Sequence, residues 1–277
     1  MIHIGQRNRL TIIDQTRSEY FLDGGSRYGD IPINKSSVLS AKVGQEVEVF
    51  LYIDDDGYLA ATTTEPFVEV GQAAYLKVLA VEPEGAWLDW GLEAPLFLPR
   101  KEQQYRLETN RHCLIYVLYD EKQGLIASTY LNDFIKDFTE EFTQGQEVSI
   151  LVAQETELGY KVIVNHRFWG ILYQNEIFKP ISKGETLTAY VKRLRTDHRL
   201  DVSLTPLGFA KVNNIVDDIL AKLAANKGFL ALSDKSSPEL IYDTLGVSKK
   251  VYKQAIGTLF KQRRIIIEDN GIRLAAK

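Results

Sequence analysis

Apolar and polar residues alternate with a period of two from Arg7 to about Leu204, after which the period lengthens to 3.6. A period of two puts successive side chains on opposite faces of a strand, and a period of 3.6 puts them on one face of a helix. The alternating part divides into three sets of five short strands. The first set is Arg7–Asp14, Ser18–Asp23, Asp30–Ile33, Glu46–Ile53 and Tyr58–Thr63. The second is Ala73–Val81, Ala86–Trp90, Leu96–Leu98, Cys113–Tyr119 and Gly124–Ser128. The third is Gln146–Ala153, Tyr160–Asn165, Gly170–Tyr173, Thr186–Arg193 and Arg199–Leu204. Five short strands with one longer connection after the third predict a small closed barrel of the OB type, built three times.

A repeated phrase supports the count. Gly5-Gln6, Gly71-Gln72 and Gly145-Gln146 each open a set, at intervals of 66 and 74 residues. That is one small β domain per interval rather than one turn of a solenoid. Weaker echoes, Gly44-Gln45 and Gly184-Glu185, lead into the fourth strands of the first and third sets. The turn before each fifth strand is acidic or contains glycine: Asp54-Asp55-Asp56-Gly57, Asp120–Gly124 and Thr196-Asp197-His198. This is hairpin chemistry, because Gly accepts positive φ and Asp tolerates it. A calcium loop would need alternating ligands and a distal Glu, which the first of these turns lacks.

From about Leu207 the pattern becomes helical. Val212, Ile215, Val216, Ile219, Leu220 and Leu223 form one apolar face that ends near Asn226-Lys227-Gly228. Phe229–Leu232 reads as a short strand. Ser237-Pro238-Glu239 supplies an N-cap, a first-turn Pro and a first-turn acid for a helix to Leu245. Ser248 caps a further helix lined by Val251, Ala255, Ile256, Leu259 and Phe260. A hairpin follows: Ile265–Ile267, the turn Asp269-Asn270-Gly271, and Ile272–Leu274. Helix, strand, helix–turn–helix and hairpin is the order of a winged helix. The expected architecture is a mainly β multidomain protein, with barrels at residues 1–65, 66–140 (linker included) and 141–208 and an α+β winged-helix domain at 209–277. The stretch Tyr130–Phe142 reads as a helical or loop linker.

Composition narrows the class. The chain has 277 residues, is 45% hydrophobic, carries a net charge of −4 and has one cysteine, Cys113, so no intrachain disulfide forms. Met1–Arg7 lacks the charged start and apolar stretch of a signal peptide, and no run approaches 18 apolar residues. A soluble, cytoplasmic protein without a membrane partner is expected. The net charge hides a division: residues 1–178 hold 15 Lys and Arg against 27 Asp and Glu, whereas residues 179–277 hold 18 against 10. A polyanion would bind mainly at the basic end, unless the charges are a chance distribution of solvated groups.

No catalytic constellation can be assembled. His3, His112, His166 and His198 fall in different barrels or on different strands, without metal-ligand spacing. Cys113 lies in an apolar run and reads as a buried structural thiol. The Gly24–Gly29 segment joins two strands and reads as a flexible barrel loop rather than a phosphate-binding turn. Neither enzymatic activity nor a cofactor or metal is expected.

Binding chemistry is better supplied. Single-stranded nucleic acid is held by aromatic faces for bases and cations for phosphates. Aromatics lie on or beside the second and third strands of every set: Tyr20, Phe21 and Tyr28; Trp87, Trp90 and Phe97; Tyr160, Phe168, Trp169 and Tyr173. About half of these point into a barrel core. Only the third set adds cations: Lys161, Arg167, Lys192, Arg193, Arg195 and Arg199. The helical domain contributes Lys249, Lys250, Lys253, Lys261, Arg263 and Arg264. Lys250, Lys253, Gly257 and Lys261 follow helical spacing away from the apolar face. Gly257 costs roughly 1 kcal/mol relative to Ala in a helix interior. It marks either a close backbone approach or a tolerated glycine on a solvated lysine face.

Two stretches carry a resemblance. Glu84-Gly85-Ala86-Trp87-Leu88-Asp89 and Gly170-Ile171-Leu172-Tyr173-Gln174-Asn175-Glu176-Ile177 resemble the "G-A-F-V-D" and "G-L-V-H-x-S-E-I" signatures of the RNA-binding repeat of ribosomal protein S-one. His198–Leu204 resembles that repeat's closing "G-R-I-x-L-S". The match implies that Phe21 and Trp87 stand at the stacking position of strand two, as a secondary RNA-stacking pair. It puts Tyr173 at the histidine position of strand three and Arg199 at the closing basic position. Copy three departs in having Lys161 where a second-strand Phe is usual. Copies one and two have Ile31-Pro32-Ile33-Asn34 and Phe97-Leu98-Pro99-Arg100 in place of "V-H-x-S", which leaves their competence to bind RNA open.

Three such domains followed by a winged helix resemble, over essentially the whole chain, the conserved virulence factor B family of bacterial RNA-binding regulators. The resemblance implies an RNA binder that adjusts gene expression after transcription, including virulence genes in pathogens. The expected partner is single-stranded RNA. Its site would combine Tyr160, Lys161, Tyr173, Arg193, Arg195 and Arg199 with Lys249, Lys250, Lys253, Lys261, Arg263 and Arg264. Two alternatives remain: a DNA-binding regulator acting through Ser248–Arg263 in a major groove, and an adaptor that docks a ribosome or protein on the acidic barrels.

Overall fold

The computed structural model describes residues 2–38, 41–54, 56–177, 180–206 and 209–275, with the side chains of 209–214 left aside. Of the positions singled out in the sequence, Met1, Asp55 and Leu207 lie outside the described residues, as does the Val212 side chain. The chain forms two compact units, Met1–Lys136 and Asp137–Lys277.

The first unit holds two barrels. Strands β1 (Arg7–Gln15), β2 (Glu19–Asp23), β3 (Asp30–Asn34), β4 (Glu46–Ile53) and β5 (Leu59–Thr62) form a sheet in the order β3-β2-β1-β4-β5. Strands β3 and β5 lie side by side without a ladder among the described residues, so this barrel is nearly closed. The Gly24–Gly29 segment, expected as a flexible loop, contains a one-turn helix, α1 (Gly25–Tyr28). In the second barrel, β6 (Ala73–Val81), β7 (Gly85–Asp89), β8 (Leu96–Pro99), β9 (His112–Asp120) and β10 (Gly124–Ser128) close through the parallel pair Ile126↔Phe97. The two barrels share packing. Phe50 of β4 sits in the second barrel's core cluster, edge-on to Trp90 at 5.7 Å. The Val70 amide donates to the Gly5 carbonyl at 2.8 Å.

The second unit opens with β11 (Glu147–Thr156), β12 (Gly159–Val164), β13 (Phe168–Tyr173), β14 (Thr186–Leu194) and β15 (Leu200–Ser203). This barrel closes where β13 and β15 run parallel, pairing Ile171 with Asp201. In every barrel the long first strand shifts register at its middle, between Ile12 and Asp14, Val78 and Ala80, and Val152 and Gln154. A bulge there bends the strand, so that one half pairs with the second strand and the other with the fourth. Of the Tyr130–Phe142 linker, Leu131–Asp133 is a 3-10 turn and Phe134 stacks on Tyr116, with ring centroids 4.6 Å apart. Phe142 belongs to the third barrel's core.

The repeated Gly-Gln phrase proves to be a turn with a built-in clasp. Gly44, Gly71, Gly145 and Gly184 all have φ between 85° and 90°, the left-handed region that glycine enters without steric cost. The following side chain accepts the backbone amide three residues before it: Gln45 from Lys42, Gln72 from Glu69, Gln146 from Thr143, and Glu185 from Ser182. Gln6 differs, since its amide donates to the Val70 carbonyl at 3.1 Å and helps join the first two barrels.

The helical domain contains α2 (Phe209–Ala225), β16 (Phe229–Leu230), α3 (Pro238–Leu245), α4 (Lys249–Lys261), β17 (Ile265–Glu268) and β18 (Gly271–Leu274). Its sheet runs β16-β18-β17. The Ser237 and Ser248 side chains accept from Leu240 and Val251 amides and cap α3 and α4. The core-facing stripe of α4 differs from expectation. Tyr252, Ala255, Ile256 and Leu259 are buried, Val251 is half-buried, and Phe260 is 54% exposed. The spacing 252, 255, 256, 259 centres the buried stripe, and Phe260 falls on its flank. Tyr252 is admitted to the core because its hydroxyl donates to the Leu232 carbonyl at 2.6 Å.

Candidate nucleic-acid interface

Strand alternation decides which side chains of the third barrel can meet a ligand. Val162, Val164, Phe168, Leu172, Leu200 and Val202 fill the core. Their neighbours Lys161, Trp169, Ile171, Tyr173 and Asp201 therefore stand on the outward face of β12, β13 and β15. The same parity puts Phe21 opposite Pro32 and Trp87 opposite Phe97 on the outer faces of the other barrels, where Lys161 lies opposite Ile171. Lys161 thus occupies the outward strand-two position that Phe21 and Trp87 hold elsewhere.

Two clusters form on this face. In the first, the Lys161 ammonium lies 3.8 Å from the centre of the Trp169 ring. A cavity of about 530 Å³ opens beside them, lined by Leu158, Ile171 and Arg199 as well, and also by the acids Asp137 and Glu157. Arg199 also lies over the exposed Phe138 ring at 5.6 Å. Burial pushes the Lys161 ammonium below the usual lysine range. Asp137 opposes that shift, and Arg199 adds to it. The cavity therefore offers apolar and aromatic walls with two cations and two acids around them.

The second cluster centres on Asp201, which is 2% exposed. Its carboxylate accepts from Arg193 at 3.1 Å and from the Arg195 Nε at 2.8 Å. Arg195 in turn donates to the Tyr173 hydroxyl. The hydrogen bond from Arg195 to Asp201 is the main reason that the guanidinium is held above the ordinary arginine range. Tyr173, Lys192 and Arg193 line a further recess of about 460 Å³ with Asp201. Lys192 is paired with Glu176, whose other oxygen accepts from the Ser203 hydroxyl at 2.7 Å.

The expected site residues thus separate. Lys161 and Arg199 meet at the first cluster, and Tyr173, Arg193 and Arg195 meet at the second. Tyr160 has the opposite parity to Lys161 and packs against the core. It lines a different cavity, with Ile177, Pro180, Pro238 and Tyr242. Arg167, counted among the cations, is held by both oxygens of Glu141 at 2.9 and 3.0 Å. Trp169 and Asp201 are the residues that sequence reasoning left out of the site. Their signal was parity: each sits between two core positions on its strand. In the other barrels, Phe21 is half-buried, and the Trp87 ring lies tilted against Phe97 at 4.7 Å with its indole donating to Glu82.

In the helical domain, Lys250, Lys253, Lys261, Arg263 and Arg264 are exposed and Lys249 is half-buried. No acid lies between Ser248 and Ile267. None of the six cations forms an ion pair among the described residues. No described helix is long and apolar enough to cross a membrane.

Comparison with known proteins adds to this geometry. Residues 4–64 match the S1 domain model, and residues 217–274 match the CvfB-like winged helix domain. Conserved virulence factor B of Staphylococcus saprophyticus is 23% identical over 286 residues, covering 99% of this chain and 95% of the relative. Over nearly its whole length the chain is similar to the conserved virulence factor B proteins. Another family-length relative is the uncharacterized protein YitL of Bacillus subtilis, 26% identical over 96% of this chain and 92% of its own length. A crystal structure of a multidomain protein with nucleic acid binding domains from Streptococcus pneumoniae is 25% identical, covers 98% of both chains and has a TM-score of 0.42. The two matched models, an S1 domain and a winged helix, are both nucleic-acid-binding domain types.

Proposed function

We propose that this chain is a non-catalytic binder of single-stranded RNA that regulates gene expression after transcription. Its contact surface would be the outward face of β12, β13 and β15, together with the cationic side of α4. The observation that carries this reading is the cavity walled by Trp169 and Ile171 and flanked by Lys161 and Arg199. An unpaired base needs an apolar or aromatic wall, and the phosphates on either side need cations. The Asp201 cluster supports it, because Arg195 and Tyr173 are held in place on the same outward face rather than left to sample rotamers. The first two barrels act as a joined, acidic spacer or docking module. The name of the staphylococcal relatives fits a regulator whose targets include virulence genes.

Fluorescence anisotropy on the full chain tests this reading, using a labelled single-stranded RNA and an unlabelled duplex DNA competitor. Reversing the charge of two exposed or half-exposed cations, Lys161→Glu with Arg199→Glu, should weaken binding by more than about tenfold and flatten the salt dependence, since each lost phosphate contact on a single strand lowers the slope by about 0.7. Unchanged affinity would remove the barrel face from the site. Displacement by duplex DNA at concentrations where single-stranded RNA competitor fails would favour a DNA-binding regulator instead.

A further inference from the structure

Helix α4 carries two features that its own fold does not require. The first is Gly257. It sits in the interior of a 13-residue helix at an ordinary helical φ, and a Cβ built there meets no atom within 4 Å. Among the described residues nothing requires a glycine at this point, and an alanine would favour the helix. The second is Phe260, a large apolar side chain left 54% exposed while Tyr252, Ala255, Ile256 and Leu259 pack into the core. At 100° per residue, Lys250, Gly257 and Lys261 fall on one line along the exposed side, and Lys253 and Phe260 share the adjacent line. Lys250 to Lys261 spans about 16 Å at 1.5 Å per residue. Arg263 and Arg264 follow directly, and the acid-free stretch covers the whole of it.

We infer that Gly257 is a notch through which the sugar-phosphate backbone of single-stranded RNA lies directly against α4, with Phe260 stacking on an unpaired base one turn further along. This rests on the reading of the chain as a single-stranded RNA binder and specifies how the helical domain takes part. The occupant follows from charge and shape together. Six cations without an ion pair among the described residues call for a polyanion. A missing Cβ between Lys253 and Lys261 lets its backbone approach the helix more closely than any side chain would permit. An exposed aromatic ring beside the notch selects a strand whose bases are free to stack, which a duplex does not offer.

The test separates helix stability from binding, because the two move in opposite directions. Gly257→Ala and Gly257→Leu should hold or raise the melting temperature of the full-length protein, since both residues favour a helix over glycine and the site is open. Affinity for a fluorescent 12-nucleotide oligouridylate should nevertheless fall, by about threefold for Ala and about tenfold for Leu. Phe260→Ala should cost about tenfold on the same probe, within the range that loss of one base–aromatic stack produces, and should leave binding to a duplex unchanged. Wild-type affinity in Gly257→Leu overturns the notch. Equal losses on single-stranded and duplex probes overturn the single-stranded occupant. If Lys161→Glu with Arg199→Glu weakens binding while the α4 variants do not, the barrel reading stands and this inference falls. If wild-type protein does not bind the single-stranded probe, both fall.

Discussion

Asp201→Ala should loosen the third barrel and its candidate binding face together. The carboxylate is buried on the outward side of β15, between Ile171 on β13 and Arg193 on β14. It is the common acceptor for Arg193 and Arg195. Removing one partner of a fully buried pair costs about 3–5 kcal/mol, because the remaining charge is left without compensation. That figure needs discounting here: the Arg193 side chain is 65% exposed and turns to water at little cost, whereas Arg195 is only 22% exposed. The penalty therefore comes mainly from Arg195, and about 2–3 kcal/mol is expected. Hydrogen–deuterium exchange on the full-length protein reads it locally, since the other domains do not share the perturbation. Amides of β13–β15 should exchange roughly 30- to 150-fold faster, using 1.36 kcal/mol per factor of ten, while β6–β10 stay unchanged. Arg193→Ala should shift the same amides by less than about fivefold, the scale of an exposed pair. Comparable effects of Arg193→Ala and Arg195→Ala would refute the assignment of the buried charge to Arg195. Protection in Asp201→Ala equal to wild type would refute the buried-pair argument altogether.

Two further outcomes follow from buried aromatic residues. Tyr252→Phe removes the hydroxyl that donates to Leu232, so the helical domain should lose about 1–2 kcal/mol near neutral pH. Burial pushes the Tyr252 phenol above its ordinary value, with Asp234 adding to the shift. Its contribution is therefore complete below the unfolded pKa of about 10 and is lost as pH rises towards the folded value. The wild-type advantage over Tyr252→Phe in thermal melts should shrink above about pH 10, and an advantage that grows with pH would contradict the sign. Phe50→Ala should destabilise the first unit by about 3–5 kcal/mol, because the ring fills the second barrel's core cluster from β4. Melting of the full chain followed by Trp90 emission checks it, and an unshifted transition would mean that the two barrels do not depend on this contact.

The fold was legible because each level of the sequence agreed with the next. Period-two alternation fixed which residues face the cores, and Ser237 and Ser248 announced their helices through cap chemistry that needs only local geometry. The phrase Gly-Gln marked the barrels for a reason that alternation could not supply: the glycine turns the chain and the next side chain clasps an amide three residues back. The candidate site was half legible. Charge located the basic end, but counting cations could not tell which were already neutralised, since Arg167 with Glu141 and Lys192 with Glu176 are separated by 26 and 16 residues and meet only in the folded barrel. Tyr160 entered the candidate set by type, as an aromatic beside a lysine, although parity turns it to the other side of β12. Trp169 and Asp201 had the right parity and the wrong appearance: an aromatic covered to 8% exposure and an acid among arginines. Both make sense once burial is known. The acid is the common acceptor for two arginines, so it decides where their charge is held.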